Sequence, residues 1–145
     1  MKKRILFVDD EDWSVEPYFE KLRDHNVEVD LALNGDEAYD LLQKDIYDLL
    51  VLDIMLPPGK KIGEDVQPRK AGAILLYRIR QKEIPDMKTA ANVPVVILTA
   101  VTDQKLSEEV RQLKVSAVFQ KPAPFDEVTD KLLDILKANS GMKQK

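Results

Sequence analysis

The sequence predicts an α/β protein built on a parallel sheet with helices on both faces. Short apolar runs of strand length alternate along the chain with segments whose apolar residues repeat at helical spacing. Strands that alternate with helices are typical of right-handed crossovers, which produce a doubly wound parallel sheet. The length of 145 residues suits one domain, and a chain of this size needs no disulfide, in keeping with its lack of cysteine.

Five strands are predicted, and they show two kinds of pattern. Four are continuous apolar runs rich in residues that favour strands, as expected for strands that are buried on both faces. The second predicted strand alternates apolar and polar residues as far as Ala32, which is typical of a half-exposed edge strand. In chain order, the predicted strands are residues 5–8, 27–33, 49–52, 95–98 and 117–119.

Five helices are predicted between and after these strands. Asn34 can cap the second helix, and Thr102 or Asp103 can cap the fourth, because these side chains accept hydrogen bonds from backbone N–H groups. The fifth helix is expected to end at Ser140-Gly141. The apolar residues that give the helical spacing are Val15, Tyr18, Phe19 and Leu22 in the first helix, Ala38, Leu41 and Leu42 in the second, Ile74, Leu75 and Ile79 in the third, Leu106, Val110 and Leu113 in the fourth, and Val128, Leu132, Ile135 and Leu136 in the fifth.

The chain is predicted to form one domain over residues 1–138, followed by a flexible tail at residues 139–145. One stretch inside the domain, at about residues 58–70, is too polar and too rich in proline and glycine to join the neighbouring elements. We interpret it as an insertion, which is either a tolerated surface loop or a functional element such as a lid or a partner contact. Because so few residues follow Ala138, we expect the output to lie in another molecule or in sequence not shown.

The composition argues against several classes of function. Lys and Arg number 22 against 26 Asp and Glu, so the net charge of -4 does not suit a protein that binds nucleic acid directly. No apolar run approaches the ~20 residues of a membrane helix, and the run at residues 5–8 is shorter than the ~7–15 residues of a secretory signal core. We therefore expect no membrane insertion and a cytoplasmic location, which the absence of cysteine also suits.

Polar residues follow four of the predicted strands at the point where each strand ends. Asp9 and Asp10 follow the first strand, Asp53 the third, Thr99 the fourth and Lys121 the fifth. The carboxyl ends of parallel strands meet at one edge of a sheet, which is where ligands bind in such folds. Clustered carboxylates repel one another unless a cation neutralises them, and oxygen ligands suit Mg²⁺. Phosphoryl transfer to a carboxylate requires a metal ion, an ammonium group and a hydroxyl group around it.

Four sequence fragments at these strand ends resemble the receiver domain of bacterial two-component response regulators. They are Phe-Val-Asp-Asp-Glu, Leu-Val-Leu-Asp-Ile-Met-Leu-Pro, Ile-Leu-Thr-Ala and Gln-Lys-Pro, in this order. Each fragment alone is a weak signal, but together they are specific, and the resemblance covers about residues 3–137. The resemblance implies a flavodoxin-like fold with strand order 2-1-3-4-5. Within the family, the chain is most similar in kind to stand-alone receivers of the chemotaxis type.

The resemblance implies a role for each acidic residue of the cluster. Asp53 would accept a phosphoryl group from a histidine kinase or a phosphotransfer protein. Asp10 would bind Mg²⁺ directly, Asp9 mostly through a water, Asp53 as a ligand as well as the acceptor, and Met55 through its backbone carbonyl. The chain would then be a signalling switch that adds and removes its own phosphoryl group at most, and not otherwise an enzyme.

The resemblance also implies how the switch works. Lys121 would pair with the phosphoryl group, and Thr99, followed by Ala100, would swing toward it. The Lys121-Pro122 bond would be cis, which is accessible to X-Pro bonds, and would aim the lysine into the site. A downstream protein would then bind the face formed by the fourth helix, the fifth strand and the fifth helix.

Two departures from the family pattern concern the switch and the loop after Asp53. The family often has an aromatic residue three positions before the lysine, where this chain has Val118, and Phe119 should point to the opposite face of the sheet. The resemblance therefore does not extend to the usual aromatic rotation. The second departure is the stretch at residues 58–70, which is longer than is usual in the family and lies beside the acceptor site.

Two other functions remain possible from the sequence. Asp10, Asp12 and Ser14 fit the Asp-x-Asp-x-Ser/Thr signature of haloacid-dehalogenase-type phosphatases, although that reading leaves Asp53 unexplained. Alternatively, the chain is a receiver-like docking module that signals without phosphate. The complete set of site residues counts against this second alternative.

Overall fold

The computed structural model describes residues 2–143 and confirms a five-stranded parallel sheet with the order β2-β1-β3-β4-β5. All four strand pairs are parallel. The strands are β1 (Lys3–Val8), β2 (Val27–Ala32), β3 (Leu49–Leu52), β4 (Val95–Thr99) and β5 (Ala117–Gln120). The helices of the described chain are α1 (Asp12–Asp24), α2 (Gly35–Lys44), α3 (Gly59–Ile62), α4 (Pro68–Arg80), α5 (Gln104–Arg111) and α6 (Phe125–Lys143).

Each face of the sheet carries its own apolar layer. Leu50 and Leu52 of β3 belong to the layer that α2, α4 and α5 cover, whereas Leu49 and Val51 belong to the layer that α1 and α6 cover. The side chains alternate between the two faces because successive residues of a strand point in opposite directions. This two-sided burial explains the continuous apolar runs at residues 5–8, 49–52 and 95–98. The prediction that the fifth strand is also buried on both faces was wrong, because β5 lies at the edge of the sheet and none of its residues is fully buried.

The helices differ from the sequence prediction in number and in bounds. Six are found among the described residues instead of five, because α3 lies inside the stretch interpreted as an irregular insertion. The next helix, α4, begins at Pro68, also inside that stretch, where a proline fits the first helical turn. The expectation that the stretch joins no neighbouring element was therefore wrong for residues 68–70, which begin α4, and residues 59–62 form a helix of their own. Residues 63–67 between them are not helical.

The last helix is longer than the sequence predicts, and the predicted N-caps of α2 and α5 are both found. The final helix, α6, extends to Lys143, past the predicted end at Ser140-Gly141, and the last two residues of the predicted tail lie outside the described part of the chain. Asn34 caps α2 by accepting a hydrogen bond from the Glu37 N–H at 2.9 Å. At α5 the cap is Asp103 and not Thr102, because the Asp103 carboxylate accepts from the Leu106 N–H at 3.2 Å.

The insertion is packed onto α2. The Asp36 carboxylate accepts hydrogen bonds from the backbone N–H groups of Lys60 (3.2 Å) and Lys61 (2.8 Å), so a residue of α2 satisfies the first N–H groups of α3. These bonds lower the pKa of Asp36. Lys61 also places its ammonium 2.5 Å from Asp40 of α2. The insertion is thus fixed to the domain by backbone and side-chain contacts.

Ile62 at the end of α3 is the apolar anchor of the insertion. Its side chain is 2% exposed and joins the core layer under α2 and α4. Nearby, Arg78 of α4 donates to the Lys61 carbonyl (2.9 Å) and to the Tyr39 hydroxyl (3.0 Å). The insertion therefore contributes to the core instead of lying over it.

We predict that Ile62→Ala destabilises the domain by about 2–4 kcal/mol, because it removes a buried side chain and leaves a cavity. Urea denaturation would measure the change in midpoint at constant slope. Lys60→Ala, at an exposed position of the same helix, is the matched control and should shift the midpoint little. Equal midpoints for Ile62→Ala and wild type would show that the insertion is only loosely attached.

Membrane insertion was not expected from the sequence. Within the described range, no helix combines the length and the apolar character needed to cross a membrane.

Candidate functional site

The backbone aligns the residues that follow the strands. The Asp53 N–H donates to the Val8 carbonyl at 2.9 Å, which continues the pairing of β1 with β3 by one residue. Beside it, the Lys121 N–H donates to the Thr99 carbonyl at 2.8 Å, which continues the pairing of β4 with β5. The sheet thus fixes the main chain at both Asp53 and Lys121, and the predicted site residues are brought together at its carboxyl edge.

The Asp53 carboxylate is held through both of its oxygens. Oδ1 accepts hydrogen bonds from the Thr99 hydroxyl at 2.7 Å and from the Met55 N–H at 3.0 Å. Oδ2 lies 3.2 Å from the Lys121 ammonium, which also lies 2.7 Å from Asp9 Oδ2. Asp9, Asp53 and Thr99 are 2%, 5% and 2% exposed. The arrangement is therefore a buried polar network around one carboxylate.

The charges of this network do not balance. Burial raises the pKa of Asp9, although the ion pair with Lys121 and the Glu11 N–H counteract this effect. For Lys121, burial favours the neutral form, but its hydrogen bond and ion pairs with Asp9 and Asp53 outweigh burial and raise the lysine pKa. One ammonium group thus faces two buried carboxylates. A further positive charge would stabilise the site.

The oxygens of four acidic residues lie close enough to share a cation. Carboxylate oxygens of Asp9, Asp10, Glu11 and Asp53 lie within 4.8 Å of one another. The first and last are buried, and Asp10 and Glu11 are exposed, so the cluster is open to solvent on one side. A hard cation that takes oxygen ligands and keeps several waters, such as Mg²⁺, fits this donor set.

Glu11 is a residue of the cluster to which the sequence prediction gave no role. It belongs to the acidic run that follows β1, and its N–H donates to Asp9 Oδ1 at 2.9 Å. Glu11 is exposed like Asp10, and its carboxylate lies in the same cluster. The Met55 N–H donates to Asp53 Oδ1, and the predicted role of the Met55 carbonyl as a ligand stays a prediction.

The residues after β4 and β5 agree with the resemblance where the structure describes them. The Lys121-Pro122 bond is cis, as expected. Ala100 is exposed, directly after Thr99. The Val101 N–H donates to the Thr99 hydroxyl oxygen at 3.2 Å, so this hydroxyl both donates to Asp53 and accepts from its own loop.

Val118 and Phe119 point to opposite faces of the sheet, as strand alternation predicts. Val118 packs with the layer under α5, and Phe119 packs with the layer under α1 and α6. Val118 also lines an open cleft of about 570 Å³ together with Thr99 and Arg111. Phe119 therefore does not replace the aromatic residue that the family often has beside the threonine.

Gly72 brings α4 against the backbone of Asp53 and Ile54. A Cβ at this position would lie 2.0 Å from the Asp53 carbonyl oxygen and 2.7 Å from Ile54 Cα. Two hydrogen bonds join the helix to the same segment, from the Gly72 N–H to the Ile54 carbonyl (2.8 Å) and from the Leu56 N–H to the Pro68 carbonyl (2.9 Å). A glycine isolated in a helical pattern is the sequence signal that marks such a close approach.

The fold and the site together define a doubly wound α/β protein with an acidic site at the carboxyl edge of its sheet. The response regulator receiver domain family matches residues 5–133, and the chain belongs to this family of signalling switches. Members of the family interact with histidine kinases or phosphotransfer proteins. The resemblance inferred from the four sequence fragments is confirmed.

Curated relatives agree with this assignment. The chain is 32% identical over 125 residues to the response regulator MprA of Mycobacterium bovis, covering 86% of this chain and 46% of the relative. It is 29% identical over 125 residues to the transcriptional regulatory protein DltR of Streptococcus agalactiae, covering 86% of this chain and 48% of the relative. The chain thus spans about half the length of these relatives.

Solved structures agree in fold. The non-phosphorylated HemR receiver domain from Leptospira biflexa is similar with a TM-score of 0.73 and 27% identity, over 93% of this chain and 94% of that one. The receiver domain of a LuxO-type repressor from Vibrio parahaemolyticus has a TM-score of 0.77 at 22% identity, over 99% and 97% of the two chains.

The phosphatase signature is not supported by the site. Asp12 begins α1 and is exposed, and it does not belong to the four acidic residues that converge within the described chain. Asp53, which that signature leaves unexplained, is instead the buried centre of the network.

Proposed function

We propose that this receiver accepts a phosphoryl group on Asp53 in a Mg²⁺-dependent reaction, from a histidine kinase or a phosphotransfer protein. The observation that carries the proposal is the buried Asp53 carboxylate, which contacts an ammonium group and a hydroxyl at the carboxyl edge of the sheet. Phosphoryl transfer depends mostly on positioning and on neutralising charge, and these contacts supply both.

The proposed step transfers the phosphoryl group from a nitrogen of the donor to an oxygen of Asp53. A carboxylate oxygen of Asp53 attacks the phosphorus of a phosphohistidine, the new P–O bond forms, and the P–N bond breaks. The electron pair of that bond stays on the imidazole nitrogen of the donor. Lys121, 3.2 Å from Asp53, neutralises charge that develops on the transferred group, and the Thr99 hydroxyl is within reach to donate to it.

Asp10, Asp9, Asp53 and the Met55 carbonyl would hold the cation, with Glu11 close enough to assist. When bound, Mg²⁺ supplies positive charge to the phosphoryl oxygens during transfer. The residues of this chain keep the acceptor in place and exclude most of the solvent from Asp53. Exposed Asp10 and Glu11 leave the incoming group an open approach.

The response would spread from Thr99 and Ala100 to α5, β5 and α6, the face proposed for a downstream protein. The receiver would act as a switch and not as an enzyme with turnover of an external substrate. We propose no direct contact between these residues and nucleic acid. The cytoplasmic location stays a prediction. A phosphate-independent docking module is the alternative, and it is disfavoured because no residue of the site is missing.

We predict that acetyl phosphate with Mg²⁺ adds one phosphoryl group to the wild-type chain and none to Asp53→Asn, as read by intact mass. Asparagine keeps the shape of the side chain but lacks the nucleophilic carboxylate. Chelation of the metal should stop the reaction, because the carboxylate cluster then repels the incoming phosphate.

Asp12→Asn is the matched control, since it removes an exposed carboxylate of the same acidic run. It should be labelled like the wild type. Labelling of Asp53→Asn would contradict the assignment, and failure of the wild type to accept phosphate from any donor would favour the docking module.

A further inference from the structure

The dipeptide Asn34-Gly35, at the start of α2, is open to a chemical modification that is independent of the proposed function. The chain has four asparagines, and only Asn34 precedes a glycine. Asparagine is thermolabile, because the backbone nitrogen of the next residue can attack its side-chain amide. Glycine hinders this attack least, since it has no Cβ. In the unfolded chain we therefore expect Asn34 to deamidate faster than the other three asparagines.

The packing of the insertion on α2 requires this dipeptide. The Asn34 side chain caps α2 by accepting from the Glu37 N–H at 2.9 Å, and asparagine is among the best capping residues. Gly35 is buried, and a Cβ there would clash with the Pro58 carbonyl oxygen and lie 2.5 Å from Ile62 Cδ1. A glycine must therefore follow the cap if the insertion is to pack here.

The peptide group between Asn34 and Gly35 is held by two hydrogen bonds. Its carbonyl accepts from the Ala38 N–H at 3.1 Å, and its N–H donates to the Pro57 carbonyl at 2.9 Å. The Asn34 backbone is extended, with ψ at 178°, and closure of the cyclic imide requires rotation about this bond. Because the rotation turns the whole planar peptide group, it breaks both hydrogen bonds. The folded arrangement must therefore open before the ring can close.

The hydrogen bond to Pro57 depends on the insertion. Pro57 directly precedes the insertion, and Ile62 of α3, which is 2% exposed, lies against Gly35. We propose that Asn34 is a deamidation site that the packed insertion protects. The site reacts only when the insertion leaves α2 and frees the Gly35 nitrogen.

The reaction needs only water and base. The Gly35 nitrogen, after it loses its proton to base, attacks Asn34 Cγ. The new N–C bond forms, the bond between Cγ and the amide nitrogen breaks, and this nitrogen takes a proton from water and leaves as ammonia. Water then opens the cyclic imide at either carbonyl, giving aspartate or isoaspartate. Isoaspartate adds one carbon to the main chain, so Gly35 no longer fits its place beside Pro57.

The test follows deamidation at Asn34 by peptide mapping of the whole chain, incubated at mildly alkaline pH with and without urea. The chain unfolded in urea should react at least about 10-fold faster than the folded wild type, because the reactive state is a minor open form. In the absence of urea, Ile62→Ala should also react at least about 10-fold faster than wild type, because it loosens the anchor of the insertion. Ile62→Val, a milder change, should give an intermediate rate.

Leu132→Ala is the matched control. Leu132 is buried in the layer under α1 and α6, so the change weakens the domain on the face away from the insertion. Its Asn34 should react at a rate close to that of wild type. Equal acceleration in Leu132→Ala and Ile62→Ala would show that global unfolding controls the reaction, and would overturn the inference. Deamidation of the folded wild type as fast as in urea would overturn it as well.

Discussion

Lys121→Gln is expected to slow phosphorylation of Asp53 by about 10²–10³-fold, the usual effect of removing one group that stabilises charge in a transition state. The same change should destabilise the domain, because Asp9 and Asp53 then remain buried without a cation. Removing one partner of a buried ion pair costs about 3 kcal/mol or more. The rate is read from intact mass, and the stability from urea denaturation.

The stability loss in Lys121→Gln should depend on pH in a defined direction. Burial already raises the pKa of Asp9 in the wild type, and the hydrogen bond and charge of Lys121 counteract this effect. In Lys121→Gln this counteracting charge is lost, so the Asp9 pKa should rise further. When the pKa of a carboxyl group is higher in the folded than in the unfolded state, the folded state binds more protons. The stability of the domain therefore rises as the pH falls. The difference between variant and wild type should therefore shrink toward acid pH.

Mg²⁺ provides a second check on the same variant. Because the cation would neutralise the carboxylates in place of the lysine, it should restore part of the lost stability but not the rate. Lys131→Gln, at an exposed position of α6, is the control and should match wild type in both measurements. Full stability of Lys121→Gln at neutral pH without metal would show that the lysine is not needed to balance the buried carboxylates.

Gly72→Ala is expected to lower stability by about 2–3 kcal/mol, in the upper part of the usual range for overpacking. This direction opposes the ordinary effect in a helix, where alanine is favoured over glycine by roughly 0.5–1 kcal/mol. The reason is that a Cβ would lie 2.0 Å from the Asp53 carbonyl oxygen, and neither backbone can move aside cheaply. Phosphorylation of Asp53 should fall as well, since the acceptor segment must shift to relieve the contact.

Ala73→Gly, one position later in the same helix, is the control for helix propensity. It should cost only about 1 kcal/mol and leave phosphorylation close to wild type. Urea midpoints and intact mass measure the two effects separately. Gly72→Ala with wild-type or higher stability would mean that α4 does not pack as closely on Asp53 as described.

The sequence was most informative where local pattern and burial agree. The residues of β3 are apolar at every position, and Asp53 follows directly, so the strand and the central carboxylate of the site could both be predicted from a short stretch of sequence. Lys121 and Thr99 were found in the same way, because each follows an apolar strand at the same edge. Such residues can be predicted, since the topology of a parallel sheet determines where strand ends meet.

The insertion could not be read in this way, because its structure depends on contacts distant in sequence. Helix α3 is a single turn whose N–H groups are satisfied by Asp36, and the apolar anchor is one residue, Ile62. One apolar residue gives no periodicity, and a short helix has little stability of its own. Tertiary contacts with α2 supply what the local sequence lacks.

The backbone pairing at the site has a consequence for the energetics of the reaction. The Asp53 and Lys121 main chains are held by hydrogen bonds to Val8 and Thr99 before any donor arrives. The conformational entropy of fixing these residues is therefore lost when the domain folds and not when it reacts. Such preorganisation would leave little reorganisation energy on the Asp53 side of the proposed transfer.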